Sequence, residues 1–215
     1  MRTKKSIFNV LTDIIPHFII GILGFIKIKL FIDVFGPELN GILQLFAQIL
    51  GYLSLFESGL GVGVVFLLYK PFKDNNINKI NELLKGASII YKRIALVIIL
   101  LSLFILFRID LLITNNPFEI SFVQTLFLLD LIANLFGYFY IGYILVFEAD
   151  HSKYRLNIYR ETIYILKMLI EIAMIIYRVH IIYILIFHVA ISFITALISK
   201  CLALRYYPWL DFKNT

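Results

Sequence analysis

Residues 88–107 read SIIYKRIALVIILLSLFILF, and this stretch decides the fold. Beyond Lys92 and Arg93 at its start it carries no charge. Twenty helical residues reach about 30 Å, the thickness of a hydrocarbon core. Working outward, comparable apolar runs occupy 7–35, 41–69, 121–147, 161–177 and 181–204. The chain of 215 residues is 61% hydrophobic, with a mean hydropathy of +0.91. A soluble core of that length cannot hide so much apolar surface, so the bilayer is the expected solvent. The sequence predicts an all-α polytopic membrane protein with six transmembrane helices in one lobe, 1–215. The featureless span 88–107 is expected to face lipid. Residues 70–87, with Asn75, Asn76 and Asn78 ahead of INELLKGAS, are expected to form an amphipathic cytoplasmic connector on the membrane surface.

Charge orients the chain. Arg2, Lys4 and Lys5 precede the first span, and Lys70, Lys73, Lys79, Lys85, Lys92 and Arg93 flank the second break. Lys153, Arg155 and Arg160 mark the fourth break, and Lys200, Arg205 and Lys213 the last exit. The opposite breaks, 36–40, 108–120 and 178–180, hold only Arg108 and Arg178. The positive-inside rule then puts both termini in the cytoplasm. The net charge of +6 is this topology signal together with attraction to anionic membrane lipid, and no nucleic-acid partner is needed to explain it.

Enzyme chemistry finds little footing. Cys201 is the single cysteine, which excludes a disulfide or a thiolate cluster within one chain. The histidines, His17, His151, His180 and His188, form no HExxH and no i,i+4 pair. No GxSxG, Walker loop or DxD motif is present, and Glu148, Asp150 and His151 read as a solvated cap. No catalytic residue, no cofactor and no metal is expected. The basic start before an apolar run is not read as a signal peptide, because the run is too long and no small-x-small cleavage site closes it.

Ionisable residues inside spans are expensive and mark function or tight pairing. Glu57 lies mid-span just before GLGVG, where it serves either as a proton or cation site or as a partner for backbone N–H groups loosened by the glycines. Asp130, with Asn134 one turn on, is the second candidate for ion coupling, and Glu171 the third. Gly59 and Gly63 form a GxxxG that suggests close helix packing. Arg160, Tyr164, Lys167, Glu171 and Arg178 fall near one helical face, and Lys167 can pair with Glu171 at i,i+4. His188, Ser192, Thr195 and Ser199 repeat the stripe in the last span, read mainly as interhelix glue. Lys27 reads as a snorkelling residue. Lys29, able to pair with Asp33, reads as facing a cavity. Lys29, Lys167 and Arg160 are therefore the candidate substrate-binding cations. The tyrosines 138–159, Tyr206, Tyr207 and Trp209 read as an interfacial belt.

Five short pieces, in order, carry a family resemblance: RTKKSIFN (2–9), FGPELNG (35–41), SLFESGLG (54–61), LYKP (68–71) and FEADHSKY (147–154). Together they resemble the polysaccharide biosynthesis proteins that flip lipid-linked oligosaccharides, in the multidrug/oligosaccharidyl-lipid/polysaccharide exporter superfamily. The resemblance implies a helical carrier of the bacterial cytoplasmic membrane, with two six-helix lobes rocking about a central cavity. It implies a lipid-linked glycan as substrate, with Lys29 standing where relatives often carry Arg. Family members have about twelve to fourteen spans and this chain has six, ending in RYYPWLDFKNT. It looks like the amino-terminal lobe, expected to need a second six-helix lobe or self-association. The alternatives are half of a cation-coupled multidrug exporter, a non-transporting membrane partner, or a truncated remnant.

Overall fold

A computed structural model describes residues 2–57, 59–113 and 117–212, with side chains throughout except at 2–11, 13 and 56. Arg2, Lys4, Lys5 and Lys213 of the basic set, and the motif pieces 2–9 and Ser58, lie outside the described side chains. Seven α-helices follow in order: α1 (Arg2–Phe35), α2 (Pro37–Ser54), α3 (Leu60–Lys73), α4 (Ile77–Phe107), α5 (Ile120–Ala149), α6 (Lys153–Ile176) and α7 (Ile181–Tyr206).

Three of the connections close in the same way. Asn75, His151 and Arg178 sit at φ 51°, 55° and 53°, the left-handed conformation that ends a helix. Behind each, two amides return to orphan carbonyls of the finished helix. Asn76 N–H donates to Pro71 O, Ser152 to Phe147 O and Val179 to Met174 O, each at 2.9 Å. The N–H groups of Asn75, His151 and Arg178 donate to Phe72, Glu148 and Ile175. This is the Schellman arrangement, and it reverses the chain within two or three residues. Antiparallel packing of α3 on α4, α5 on α6 and α6 on α7 follows. Between α1 and α2, Gly36 at φ 89° makes the turn and Pro37 opens the next helix.

Helix α5 is the centre of the bundle. It packs along α7 and α4 and also touches α2, α3 and α6. Helix α1 lies along α6 and touches α2. Two apolar cores result. One joins Phe31, Phe46, Phe127, Val123, Ile175 and Ile184 at the end poor in basic residues, with the Phe46 and Phe127 rings edge-on at 5.1 Å. The other joins Leu68, Leu84, Phe147, Leu156, Leu202 and Leu210 at the basic end. Between them runs a polar belt from α1, α4, α5, α6, α7 and the turn before α3: Lys27, Glu57, Tyr91, Asp130, Asn134, Tyr138, Lys167, Glu171 and His188.

Outward faces are strongly apolar. Phe18 is 72% exposed, Phe25 80%, Phe66 73%, Phe104 71% and Phe107 78%. Such faces are costly in water and ordinary in lipid. Among the described residues α4, α5 and α7 are long and apolar enough to cross a membrane. The chain is thus an all-helical protein with the marks of membrane embedding.

The structure differs from the sequence expectations in four places. First, six uninterrupted crossings are not what length and composition show: three helices qualify. Helix α6 carries Arg160, Glu161, Lys167 and Glu171, and the second span is divided. Second, that division falls at Leu55–Gly59. A 3-10 turn covers Leu55–Glu57, and Gly59 stands at φ 85° before α3 begins. Only glycine takes that conformation without strain. Gly59 and Gly63 have open space beside them, so no GxxxG contact forms among the described residues. The close approach is at Gly61, where an added Cβ would lie 3.1 Å from the Tyr91 hydroxyl. Third, no separate surface helix covers 70–87. Helix α3 runs to Lys73, and α4 starts at Ile77 with Asn76 accepting from Lys79 N–H. Helix α4 also does not simply face lipid, since Tyr91, Ala95, Ile98 and Ser102 are buried.

Fourth, Tyr207 of the expected interfacial belt is turned inward, while Tyr206 stays exposed. Tyr207 and Leu210 are buried in the basic-end core. The Asn81 amide donates to Trp209 O and accepts from Asp211 N–H, both at 3.1 Å, clamping the tail to α4. The Tyr207 hydroxyl lies 2.6 Å from Ser152 Oγ and 3.1 Å from Asp150. Burial pushes the Tyr207 phenol above its ordinary pKa, against the Ser152 hydrogen bond, and Asp150 pushes the same way. The phenol therefore keeps its proton and donates to Asp150.

Candidate functional site

The polar belt is built from helices that pair in two sets, and its centre is Glu171. Helix α6 turns Lys167 and Glu171 inward on one face, one helical turn apart. Helix α1 brings Lys27 and α7 brings His188. Glu171 is 2% exposed, with Oε2 at 2.5 Å from Lys27 Nζ and Oε1 at 3.6 Å from Lys167 Nζ. His188 Nδ1 lies 3.7 Å from Oε1, and Lys167 Nζ lies 3.2 Å from His188 Nε2. An ammonium only donates, so Nε2 is the acceptor and the ring proton of a neutral His188 sits on Nδ1, facing Glu171. Two ammonium groups thus share one carboxylate. The excess positive charge has Asp130 of α5 within electrostatic reach.

A cavity of about 280 Å³ opens beside this cluster, walled by α5, α6 and α7. Lys167 and His188 stand at its mid-depth end; Arg160, Tyr140, Ile144 and Ser199 line it toward the basic end. The α6 and α7 polar stripes face each other across it, and Phe136, Tyr140 and Tyr164 add aromatic wall. Thr195 and Ser199 donate to carbonyls one turn back in their own helix, at 2.8 Å each. That is the usual use of a hydroxyl in an apolar helix. Ser192 also lines the cavity.

A second cavity of about 210 Å³ lies on the other side of α5, against α2. Asp130, Asn134, Tyr138 and Ser54 supply its polar wall, and Asn134 borders both cavities. At its edge Tyr138 donates to Glu57 Oε1 at 3.1 Å, and the Tyr91 ring lies 6.4 Å from that of Tyr138. Glu57 is therefore held by a phenol of α5 at the α2–α3 break, where the sequence left a choice between an ion site and freed backbone N–H groups.

Of the candidate substrate cations, Lys167 and Arg160 line the first cavity. Lys29 does not: it is exposed on α1, away from both cavities, and makes no ion pair with Asp33 among the described residues. Lys27, read as a snorkelling residue, is the α1 cation in the cluster. The two lysines lie about 200° apart around the helix, so only one can meet α6. Of the coupling-ion candidates, Glu171 is in the cluster, Asp130 lines the second cavity, and Glu57 lies at its edge. Arg178, at the end of the α6 stripe, is exposed in the turn. Tyr138, read from the sequence as part of an interfacial belt, instead donates to Glu57; one tyrosine among thirteen in the chain carries no sequence signal for that contact. No group of three or more His, Cys, Asp or Glu that could hold a metal occurs among the described residues. Comparison with protein-family models, with curated proteins and with solved structures found no match.

Proposed function

We propose that this chain is one lobe of a membrane carrier that moves a lipid-linked oligosaccharide or polysaccharide precursor across the cytoplasmic membrane. In this reading α1, the α2–α3 pair and α6 cross the bilayer alongside α4, α5 and α7, with both termini on the basic, cytoplasmic side. The lobe forms one wall of the pathway, and a second lobe or a second copy forms the other. The protein is a carrier and no chemistry is assigned to it.

One observation carries the reading. The cavity between α5, α6 and α7 has Lys167 and Arg160 in its wall and a net positive cluster at its inner end. A buried excess cation beside a cavity favours an anionic group there, and the apolar outer faces offer lipid to a tail. The diphosphate of a prenyl-linked glycan has both parts. Asp130, Glu171 and Glu57 are the groups through which a cation or proton would bias the carrier.

The test is binding of farnesyl diphosphate to the purified protein in detergent. Lys167→Gln and Arg160→Gln are each expected to weaken it about ten-fold, the loss of one charge-assisted contact at the lower end of the usual range. Equal affinity for uncharged farnesol, or no effect of either substitution, would refute the proposal. The competing multidrug-exporter reading predicts the opposite preference, for a cationic amphiphile held by Glu161, which also lines the cavity.

A further inference from the structure

Glu171 Oε1 is a buried oxygen with no hydrogen-bond partner among the described groups, yet it faces two potential donors at 3.6 Å and 3.7 Å. Buried carboxylate oxygens are rarely left so. The other oxygen of the same carboxylate is tightly held by Lys27, from a different helix. Lys167, in contrast, is divided. Its ammonium leans on His188 at 3.2 Å, stands just beyond hydrogen-bond range of Glu171, and borders the cavity. The arrangement is a cation with three possible neighbours and a carboxylate whose Oε1 meets Lys167 and His188 only at ion-pair distance.

We infer that Glu171 gates Lys167: it holds the ammonium back from an empty cavity and yields it to an anionic group that enters, Lys27 keeping the carboxylate charge balanced meanwhile. This deepens the proposed function and rests on an anion occupying that cavity. Glu171 is a positioning residue, since it acts through Lys167 and does not line the cavity itself. The physical basis is competition. The ammonium's attraction to Glu171 must be given up, in whole or part, when it turns to a ligand, so the affinity measured for the ligand is net of that loss. Anything that weakens Glu171's hold raises affinity. Anything that strengthens it lowers affinity.

The two sides of the carboxylate therefore predict opposite signs. Glu171→Gln keeps the shape and removes the competing charge; anion affinity should rise about ten-fold, within the usual range of coupling between sites. Lys27→Gln leaves the whole carboxylate charge to Lys167; affinity should fall about ten-fold. In the double variant Lys27 no longer matters, and affinity should match that of Glu171→Gln. The experiment is calorimetric titration of the purified protein in detergent, with inorganic pyrophosphate in one arm and farnesyl diphosphate in the other. Binding in both arms identifies the diphosphate as the recognised chemistry; binding only of the prenylated form shows that the lipid tail is also required. Opposite shifts for the two single variants support the gate, and a structural role alone would not raise affinity. Should Glu171→Gln not fold, the sign of the Lys27→Gln shift decides. If the two shift in the same direction while Lys167→Gln still weakens binding about ten-fold, the gate is wrong and the cavity reading stands. If the wild-type protein binds neither probe, both fall.

Discussion

Replacing Glu171 by Leu should destabilise the protein sharply, and removing its partners with it should undo the damage. At an effective dielectric of 20, a pair of unit charges at 4 Å attracts by about 4 kcal/mol, and much of that is spent on desolvation. Breaking a buried pair by deleting one partner costs about 3–5 kcal/mol, because the other charge is stranded. Here two are stranded. The Lys27 side chain is 28% exposed and can turn its ammonium outward; that of Lys167 is 8% exposed and cannot. The cost of Glu171→Leu should therefore sit near the low end, about 3 kcal/mol. The triple variant Lys27→Met, Glu171→Leu, Lys167→Met removes all three charges of the cluster; Asp130 loses the attraction of Lys167 but keeps the Asn134 amide at 3.5 Å. It should lie within about 1 kcal/mol of the wild type, since well-packed apolar groups commonly replace a buried ion pair at no loss. Thermal unfolding in a single detergent is the assay. At about 2–4 °C per kcal/mol for a chain of this size, the single variant should melt about 6–12 °C lower and the triple close to the wild type. A triple variant as unstable as the single would show that the cost is a packing defect, and the account of the cluster as a unit held by its ion pairs would be wrong.

Other expectations follow from packing. Gly142→Ala would drive its Cβ into Ser88 Oγ and to 3.2 Å from the Phe212 ring, so it should cost about 1–3 kcal/mol, with most of the loss gone in a Ser88→Ala background, as a double-mutant cycle in melting will read. Asn81→Ala removes both hydrogen bonds that hold the tail, at about 1–3 kcal/mol, and should expose 207–212 to proteolysis in detergent while leaving the α6–α7 end protected. Arg178→Gly relieves a left-handed non-glycine residue in an exposed turn and should raise the melting temperature by a degree or two, about 0.5 kcal/mol.

The helices were legible in the sequence wherever one apolar run met one turn. The starts of α5 and α7 fall within a residue of the expected spans, and Schellman closures need only a tolerant residue such as Asn75. The α6 and α7 stripes were legible too, because hydroxyls and charges at three- and four-residue steps can share only one face. Three things were not legible. The break at Leu55–Gly59 lies inside an unbroken apolar run, and glycine marks close packing as often as a turn. Lys27 and Lys29 are alternatives that periodicity separates but cannot rank, since the face that meets α6 is set by tertiary packing. The tail reads as amphipathic aromatic sequence, which suits a membrane interface as well as the groove that Asn81 closes.

The proposed lobe requires the α2–α3 pair to cross the membrane despite its break, because only then do α1 and α6 lie on the right side to close the belt. Labelling of single cysteines in intact cells tests this directly, with Cys201→Ser as the background and cysteines placed at Glu38, Asn75, His151 and His180. Asn75 and His151 should react only once the cytoplasmic face is opened, and Glu38 and His180 from outside intact cells. Reaction of Glu38 and Asn75 from the same side would mean that α2 and α3 enter and leave by one face, and the six-crossing lobe would be contradicted.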